Sequence, residues 1–182
     1  CKPQHLSQFA QLGTVYAKDI MGREAPRVAL LNIGEEPGKG NELSVETYRL
    51  LEAAPGINFI GNVEGRDIIQ GVCDVVVADG FVANVLLKFY ESVAEFIIGM
   101  LCKSTDIKMD GPELSQVFRV LDYSVYGGAP LLGVGGVAII CHGKSSPKAI
   151  RNAVGVAARA VASGMVSHVA RELSAPSSQE AS

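Results

Sequence analysis

The stretch CDVVVADGFVANVLLKFYES, from Cys73 to Ser92, places an acid, an amide and an ammonium where a strand pattern changes into a helix pattern. The β-branched run ends at Asp79 and Gly80, and the apolar helical pattern that follows carries Asn84 and Lys88. Residues four apart share one helix face, and a lysine one turn inside a helix can reach an anion held by the free amides at the helix start. This spacing is typical of an anion site, although a solvated surface lysine beside an incidental amide would leave the same pattern.

A second set of polar residues follows the run RVALLNI. The loop GEEPGKGNEL presents Lys39, Gly40 and Asn41 directly before a helical pattern. A lysine in a glycine-rich loop before a helix can bind phosphate, but the spacing is not that of a Walker A loop. The alternative is an ordinary exposed loop whose asparagine caps the helix.

A third set follows the run GVAIIC, where His142 and Gly143 stand at a helix start and Ser146 is expected to be its N-cap. A histidine at a strand end can bind an oxyanion or transfer a proton, although a single histidine is more often structural. The stretch YGGAPLLG, from Tyr126 to Gly133, adds a glycine pair that permits close backbone approach.

Strand and helix patterns alternate along the chain and would bring these sets together. The predicted strands are Arg27–Ile33, Ile57–Val63, Asp74–Asp79 and Gly136–Gly143. The predicted helices run from Pro3 toward Ile20, from about Leu43 to Ala54, over GRDIIQG, from Val82 to Met100, and from Ser146-Pro147 to about Leu173. Such alternation predicts an α/β fold with a parallel sheet covered by helices, whose ligands bind beyond the carboxyl ends of the strands. Three polar sets opening on one sheet edge favour an anionic, phosphate-bearing ligand.

Composition excludes several other classes. The net charge of -3 argues against a general nucleic-acid-binding protein, which needs a basic surface. The four cysteines form no CxxC pair, so neither a zinc site nor a disulfide framework is expected, and free thiols fit a cytoplasmic location. The longest apolar region is interrupted by Lys88, Glu91 and Glu95, which does not suit a membrane span. Because the chain begins with CKPQHL and enters a helix pattern at once, we expect it to start inside a domain.

Five motifs carry a resemblance to a known family. RVALLNIGEEPGKGNEL, INFIGNVEGRDI, CDVVVADGFVANVLLK, YGGAPLLG and HGKSS resemble, in order and spacing, the bacterial phosphate acyltransferases of phospholipid synthesis. The resemblance implies a three-layer α/β/α fold similar to that of isopropylmalate dehydrogenases. It further implies that residues 1–173 are the C-terminal portion of the acyltransferase α/β domain, followed by a disordered tail at 174–182.

The resemblance also implies an activity and its partners. The family moves a fatty acyl group from acyl carrier protein to inorganic phosphate, forming acyl phosphate, without a cofactor or metal. A cytoplasmic homodimer with peripheral membrane contact is expected, and the amphipathic helix that ends in AEFIIGMLC would serve the dimer or the membrane surface.

The site residues transfer motif by motif. The implied catalytic residues are Asp79, Asn84, Lys88 and His142. The implied substrate-binding and phosphate-binding residues are Lys39, Gly40, Asn41, Gly80, Tyr126, Gly127, Gly128 and Gly143. The family's central motif has glycine where this chain has Ala83, which would be costly at a positive φ and harmless inside a helix.

Other functions remain open at this point. A phosphotransacetylase would share the reaction type but use a coenzyme A thioester. A nicotinamide-dependent decarboxylating dehydrogenase should show metal-binding aspartates in a DxxxD arrangement, and the sequence has no such spacing in a suitable context. A non-catalytic fragment of the acyltransferase is the third alternative.

Overall fold

Strands and helices alternate along most of the chain. The computed structural model describes residues 1–104 and 127–174. The strands are β1 (Arg27–Leu31), β2 (Asn58–Val63), β3 (Val75–Val77), β4 (Ala129–Pro130) and β5 (Ile139–Ile140). The helices are α1 (Pro3–Asp19), α2 (Glu42–Glu52), α3 (Gly65–Gln70), α4 (Gly80–Ser104), α5 (Pro147–Ala162) and α6 (Met165–Ser174).

The chain divides into two compact units. The first comprises Cys1–Asp79, Leu131–Ala138 and the stretch from Ala158 onward. The second comprises Gly80–Pro130 and Ile139–Ala157.

A parallel sheet of three strands, in the order β2-β1-β3, lies in the first unit. The central strand β1 is apolar, and its residues Val28, Ala29 and Leu30 are fully buried, as expected for a strand covered on both faces. The connections β1–α2–β2 and β2–α3–β3 cross the sheet in opposite directions. The right-handed rule for such crossovers therefore assigns α2 and α3 to opposite faces, which fits a three-layer α/β/α arrangement.

Two apolar clusters form the core of this unit. The first joins α1, α2 and the sheet and contains Leu6, Ala10, Val28, Leu30, Leu51 and Val77. The second joins α1, α6 and the end of α5 and contains Val15, Ala160, Met165 and Val169. Helix α1 approaches β3 closely at Gly13, where an added Cβ would lie 2.6 Å from Cγ1 of Val75. Glycine at this helix position therefore permits the packing of α1 on the sheet.

The described part of the second unit consists of α4, a short antiparallel pair and most of α5. Strand β4 pairs with β5 antiparallel, with Ala129 opposite Ile140 and Pro130 opposite Ile139. Helix α5 begins after Ser146, whose Oγ accepts a hydrogen bond from the amide of Ala149 at 3.2 Å. The predicted N-cap is thus confirmed.

The α/β class and the parallel sheet are confirmed, and the first three predicted strands and first four predicted helices are present with shifted ends. The predicted strand Gly136–Gly143 is wrong in extent and partner: only Ile139 and Ile140 are extended, and they pair with β4 in a separate sheet. The physical reason is the short connection from β4, because a parallel pairing needs a crossover of roughly a dozen residues or more.

The predicted final helix is interrupted. It ends at Ala162 and resumes at Met165, because Gly164 adopts a positive φ of 68° that stops the first helix. Within residues 1–104 and 127–174, no single helix is both long and apolar enough to cross a membrane, and only the bent pair α5 and α6 together reaches that length and composition. The predicted tail beyond Ser174 lies outside the described residues.

Candidate functional site

The loop from Gly34 to Asn41 follows the carboxyl end of β1. Two asparagine side chains hydrogen-bond to its backbone. Nδ2 of Asn32 donates to the carbonyl of Lys39 at 2.9 Å, and Nδ2 of Asn62 donates to the carbonyl of Glu36 at 2.8 Å. Within the loop, the amide of Lys39 donates to the carbonyl of Glu36 at 3.1 Å. These bonds give a solvent-exposed loop one defined backbone shape.

Gly40 has a backbone conformation that other residues avoid. Its φ is +90°, and an added Cβ would lie 3.0 Å from Cβ of Ser44 and 3.1 Å from Cγ of Asn32. Glycine is required here for both reasons, and it turns the chain from Lys39 into the first turn of α2.

Asn41 and Lys39 are placed differently. Oδ1 of Asn41 accepts hydrogen bonds from the amide of Ser44 at 2.9 Å and from its hydroxyl at 3.0 Å, so this residue is the N-cap of α2. The side chain of Lys39 is half exposed, and its ammonium lies 4.0 Å from a carboxylate oxygen of Glu36. An exposed pair at that distance contributes little, so the ammonium can turn to an anion.

Asp79 lies at the same sheet edge as the loop. Leu30 of β1 pairs with Val77 of β3, and Asn32 and Asp79 each follow their partner by two residues. The structure therefore brings Lys39, Gly40, Asn41 and Asp79 to the carboxyl edge of one parallel sheet, where α/β proteins bind ligands.

The start of α4 carries the next predicted set, in the second unit. The helix begins at Gly80, and both Asn84 and Lys88 are exposed on its first turns, four residues apart. Ala83 lies inside this first turn, and no residue other than glycine has a positive φ in the described chain. Alanine is thus harmless here and stabilises the helix by up to about 1 kcal/mol relative to glycine.

Gly127, Gly128, His142 and Gly143 also belong to the second unit. An added Cβ at Gly127, whose φ is +81°, would lie 2.8 Å from Cβ of Asn152, and one at Gly128 would lie 2.7 Å from the carbonyl oxygen of Ile140. The close approach that this pair permits is therefore that of the protein's own α5 and β5.

His142 and Gly143 are exposed just after β5, and Nδ1 of His142 accepts a hydrogen bond from the amide of Lys144 at 3.2 Å. This bond closes the turn after the strand. Tyr126, the remaining predicted site residue, lies outside the described residues.

Sequence reasoning missed Asn32 and Asn62, the residues that hold the loop. Asn32 directly follows the β1 pattern, and a polar residue after a buried strand was a usable signal. Asn62 had no such signal, because its inward placement depends on a bulge in β2. Val28 pairs with Phe59 and Leu30 with Asn62, so β2 holds one extra residue near Gly61, whose φ is +100°. The bulge moves Asn62 off the exposed face of the strand.

A cavity lined in part by Glu35 of the loop does not suit an anion. It has a volume of about 360 Å³ and is lined by Glu35, Tyr48, Ile60, Gly61, Asn62, Val63, Asp67 and Val72. Its two acidic side chains would repel phosphate. Among the described residues no three His, Cys, Asp or Glu side chains are grouped as metal ligands would be.

Comparison with known proteins identifies one family along the chain. The family model described as "Fatty acid synthesis protein" matches residues 1–168. The phosphate acyltransferase of Desulforamulus reducens is 47% identical over 180 residues, which are 95% of this chain and 54% of that protein. The phosphate acyltransferase of Dictyoglomus turgidum is 50% identical over 171 residues, 88% of this chain and 50% of that protein. The chain thus spans about half the length of the curated relatives it matches.

Proposed function

We propose that the protein containing this chain, which belongs to the fatty acid synthesis protein family, is a phosphate acyltransferase that moves a fatty acyl group from acyl carrier protein to inorganic phosphate. The observation that carries the proposal is the 47% to 50% identity, along nearly the whole chain, to proteins named phosphate acyltransferase. The exposed lysine loop at the carboxyl edge of the sheet supports it, because that edge suits a small anion.

The reaction requires the protein to bind phosphate and to compensate its negative charge. A phosphate oxygen attacks the thioester carbonyl, the carbon–sulfur bond breaks, and the carrier thiolate leaves and takes up a proton. The products are acyl phosphate and the free carrier. Desolvation of the dianion, close positioning and stabilisation of the developing oxyanion are the contributions that a protein can make.

The predicted residues divide these tasks. Lys88 and the free amides at the start of α4 bind phosphate, as helix starts do for anions. Asn84 or Asn41 orients the phosphate or polarises the thioester, Asp79 positions Lys88 or a phosphate proton, and His142 serves as acid or base. Lys39 adds a second cation from the loop, and Gly40, Gly80, Gly143 and Tyr126 complete the binding surface. Gly127 and Gly128 shape that surface indirectly, through their close contacts with α5 and β5.

Substitution of Lys88 tests this proposal. In the complete enzyme, Lys88→Ala should lower phosphate-dependent turnover by roughly tens-fold or more, since one charge contact to the reacting phosphate is lost. The measurement is acyl-phosphate formation from acyl carrier protein as phosphate is varied. Lys18→Ala, which removes an exposed lysine from α1, is the control and should leave both kcat and KM unchanged. Wild-type kinetics for Lys88→Ala would remove this residue from the mechanism.

The acyl donor separates the proposed activity from that of a phosphotransacetylase. Acyl carrier protein should support turnover with a much higher kcat/KM than the matching acyl-coenzyme A. The reverse preference would assign the coenzyme A reaction instead.

The assembly belongs to the same proposal. An apolar stripe on α4, defined by Val85, Phe89, Val93, Phe96 and Met100, is solvent-exposed in the single chain. We assign it to a homodimer interface of a cytoplasmic enzyme, with membrane-surface contact as the second use of the same helix. Exposed apolar patches of this kind mark interaction surfaces.

A further inference from the structure

We infer that Asn32 and Asn62 are positioning residues for phosphate binding, which they serve through the loop that carries Lys39. This inference rests on the proposed function, because it needs Lys39 to contact phosphate. Neither asparagine is itself assigned to contact the substrate.

The two side chains come from neighbouring strands. Asn32 follows β1 and Asn62 lies near the end of β2, and the two strands are joined there by a hydrogen bond from the amide of Asn32 to the carbonyl of Val63 at 2.9 Å. Their Nδ2 groups reach carbonyls three residues apart in the loop, those of Lys39 and Glu36. The loop is thus bound at two points to the carboxyl ends of two hydrogen-bonded strands.

The other polar contacts of the loop include the hydrogen bond from the amide of Lys39 to the carbonyl of Glu36 and an exposed ion pair of Glu35 with Arg66 at 3.4 Å, which contributes little. Every residue from Glu35 to Asn41 is exposed, so apolar burial does not order it. Asn32 adds a second restraint, because its Oδ1 accepts a hydrogen bond from the amide of Ile33 at 2.8 Å and so fixes the orientation of its own amide. The backbone around Lys39 therefore depends on these few bonds.

The burial of Asn62 indicates that this residue is present for its hydrogen bond to the loop and not for packing. Only 6% of the residue is exposed, and its Oδ1 accepts no hydrogen bond from the described residues. An amide buried with one group unpaired costs free energy that an apolar side chain of similar size would avoid. Among the described residues, the one hydrogen bond that the Asn62 side chain makes is the bond from its Nδ2 to the loop.

Loss of either bond should affect phosphate binding more than folding. The Lys39 carbonyl would no longer be restrained, and the ammonium would spread over more positions before phosphate arrives. Small misplacement of a positioned group costs up to about a hundredfold in rate. The effect should appear mainly as a higher KM for phosphate.

The experiment combines three variants of the complete enzyme with a double-mutant cycle. Asn32→Ala and Asn62→Ala each remove one bond to the loop. Asn58→Ala is the matched control, since Nδ2 of Asn58 also donates to a carbonyl, that of Ala25 at 3.4 Å, but at the opposite end of β2. Each variant is measured for kcat, for KM of phosphate and for its melting temperature, and Asn32→Ala is repeated in a Lys39→Ala background.

The expected result is a roughly tenfold or larger rise in the KM for phosphate for Asn32→Ala and Asn62→Ala, with no rise for Asn58→Ala. In the Lys39→Ala background, Asn32→Ala should raise KM by a much smaller factor, because the group that it positions is absent. A purely structural role would instead lower the melting temperature and leave KM unchanged, or would change KM equally in both backgrounds. Either result overturns the inference.

Asn32 is only half-buried and keeps the test usable if Asn62→Ala fails to fold. Failure of the proposed function is distinguishable, because the wild-type enzyme would then form no acyl phosphate from acyl carrier protein. A wild-type KM for Lys39→Ala in an active enzyme would instead overturn the inference, which needs Lys39 to contact phosphate. If Lys39→Ala raises KM and the asparagine variants do not, only the inference about the two asparagines fails.

Discussion

Gly40 is the position in the loop where one added methyl group would have the largest effect. Its positive φ disfavours any side chain, and the space beside it is already filled by Asn32 and Ser44. Both restraints act on the residue between Lys39 and the N-cap of α2. A change at Gly40 therefore alters the loop backbone instead of only adding bulk.

Gly40→Ala should lower phosphate-dependent kcat/KM by roughly tenfold and the stability by about 1 to 2 kcal/mol, because strained φ and crowding add. Gly38→Ala is the matched control from the same loop, since its φ is not positive and no atom lies within 4 Å of an added Cβ. Steady-state kinetics and urea unfolding measure the two effects. Equal behaviour of both variants would contradict the role of Gly40.

An ion pair joins the starts of β1 and β3. It lies at the amino ends of these strands, whereas the candidate site lies at their carboxyl ends. Oδ2 of Asp74 accepts hydrogen bonds from the amide and Nε of Arg27 at 2.9 and 3.0 Å. Arg23 lies 3.6 Å from Oδ1 of the same carboxylate. The hydrogen bonds from Arg27 are the main cause that lowers the pKa of Asp74 below its usual value of 3.8.

A lowered carboxyl pKa gives a pH dependence of known sign. The Asp74 carboxylate stabilises the fold fully above its ordinary pKa, and this contribution is lost as the pH falls through the lowered pKa of the folded state. Asp74→Asn should therefore reduce the melting temperature by a few degrees at pH 7, and the difference from wild type should shrink in acid.

Thermal unfolding at several pH values checks this prediction. Glu46→Gln is the control, because Glu46 forms an exposed pair with Arg49 at 2.7 Å within one helix and should contribute little. A difference for Asp74→Asn that stays constant below pH 3.8 would show that the ion pair is not its cause.

Association of the whole molecule is expected to use the apolar stripe of α4. Its members follow at steps of four, four, three and four residues, so they form one continuous face of the helix. Phe89 and Phe96 are each 66% exposed in the single chain. Two large aromatic side chains with this exposed fraction indicate that another surface covers them in the assembled protein.

Substitution of both phenylalanines tests the dimer. Phe89→Ser combined with Phe96→Ser should convert a dimer to a monomer at micromolar concentration, as measured by sedimentation velocity. Ile69→Ser is the control, since Ile69 is 69% exposed on α3 and lies outside the stripe. If the double variant remains a dimer, the dimer interface lies elsewhere on the protein. If it remains a dimer but no longer floats with anionic vesicles, the stripe is a membrane-contact surface instead.

The sequence by itself determined the α/β class, most element positions and the family. Local patterns sufficed because the apolar run of β1, the cap at Asn41 and the helical spacing after Gly80 each depend on neighbouring residues. The five motifs kept their order and spacing, and family comparison matches the same chain from residue 1 to 168.

Only the tertiary structure decided how the loop that carries Lys39 is held, and which strand β5 joins. The bulge at Gly61 sends Asn62 inward, and β5 pairs with β4 in a separate antiparallel sheet. The sequence left open what approaches the glycine pair, and the structure shows that Gly127 makes room for α5 and Gly128 for β5. These outcomes depend on contacts between segments distant in the chain, and such contacts leave no periodic signal in the sequence.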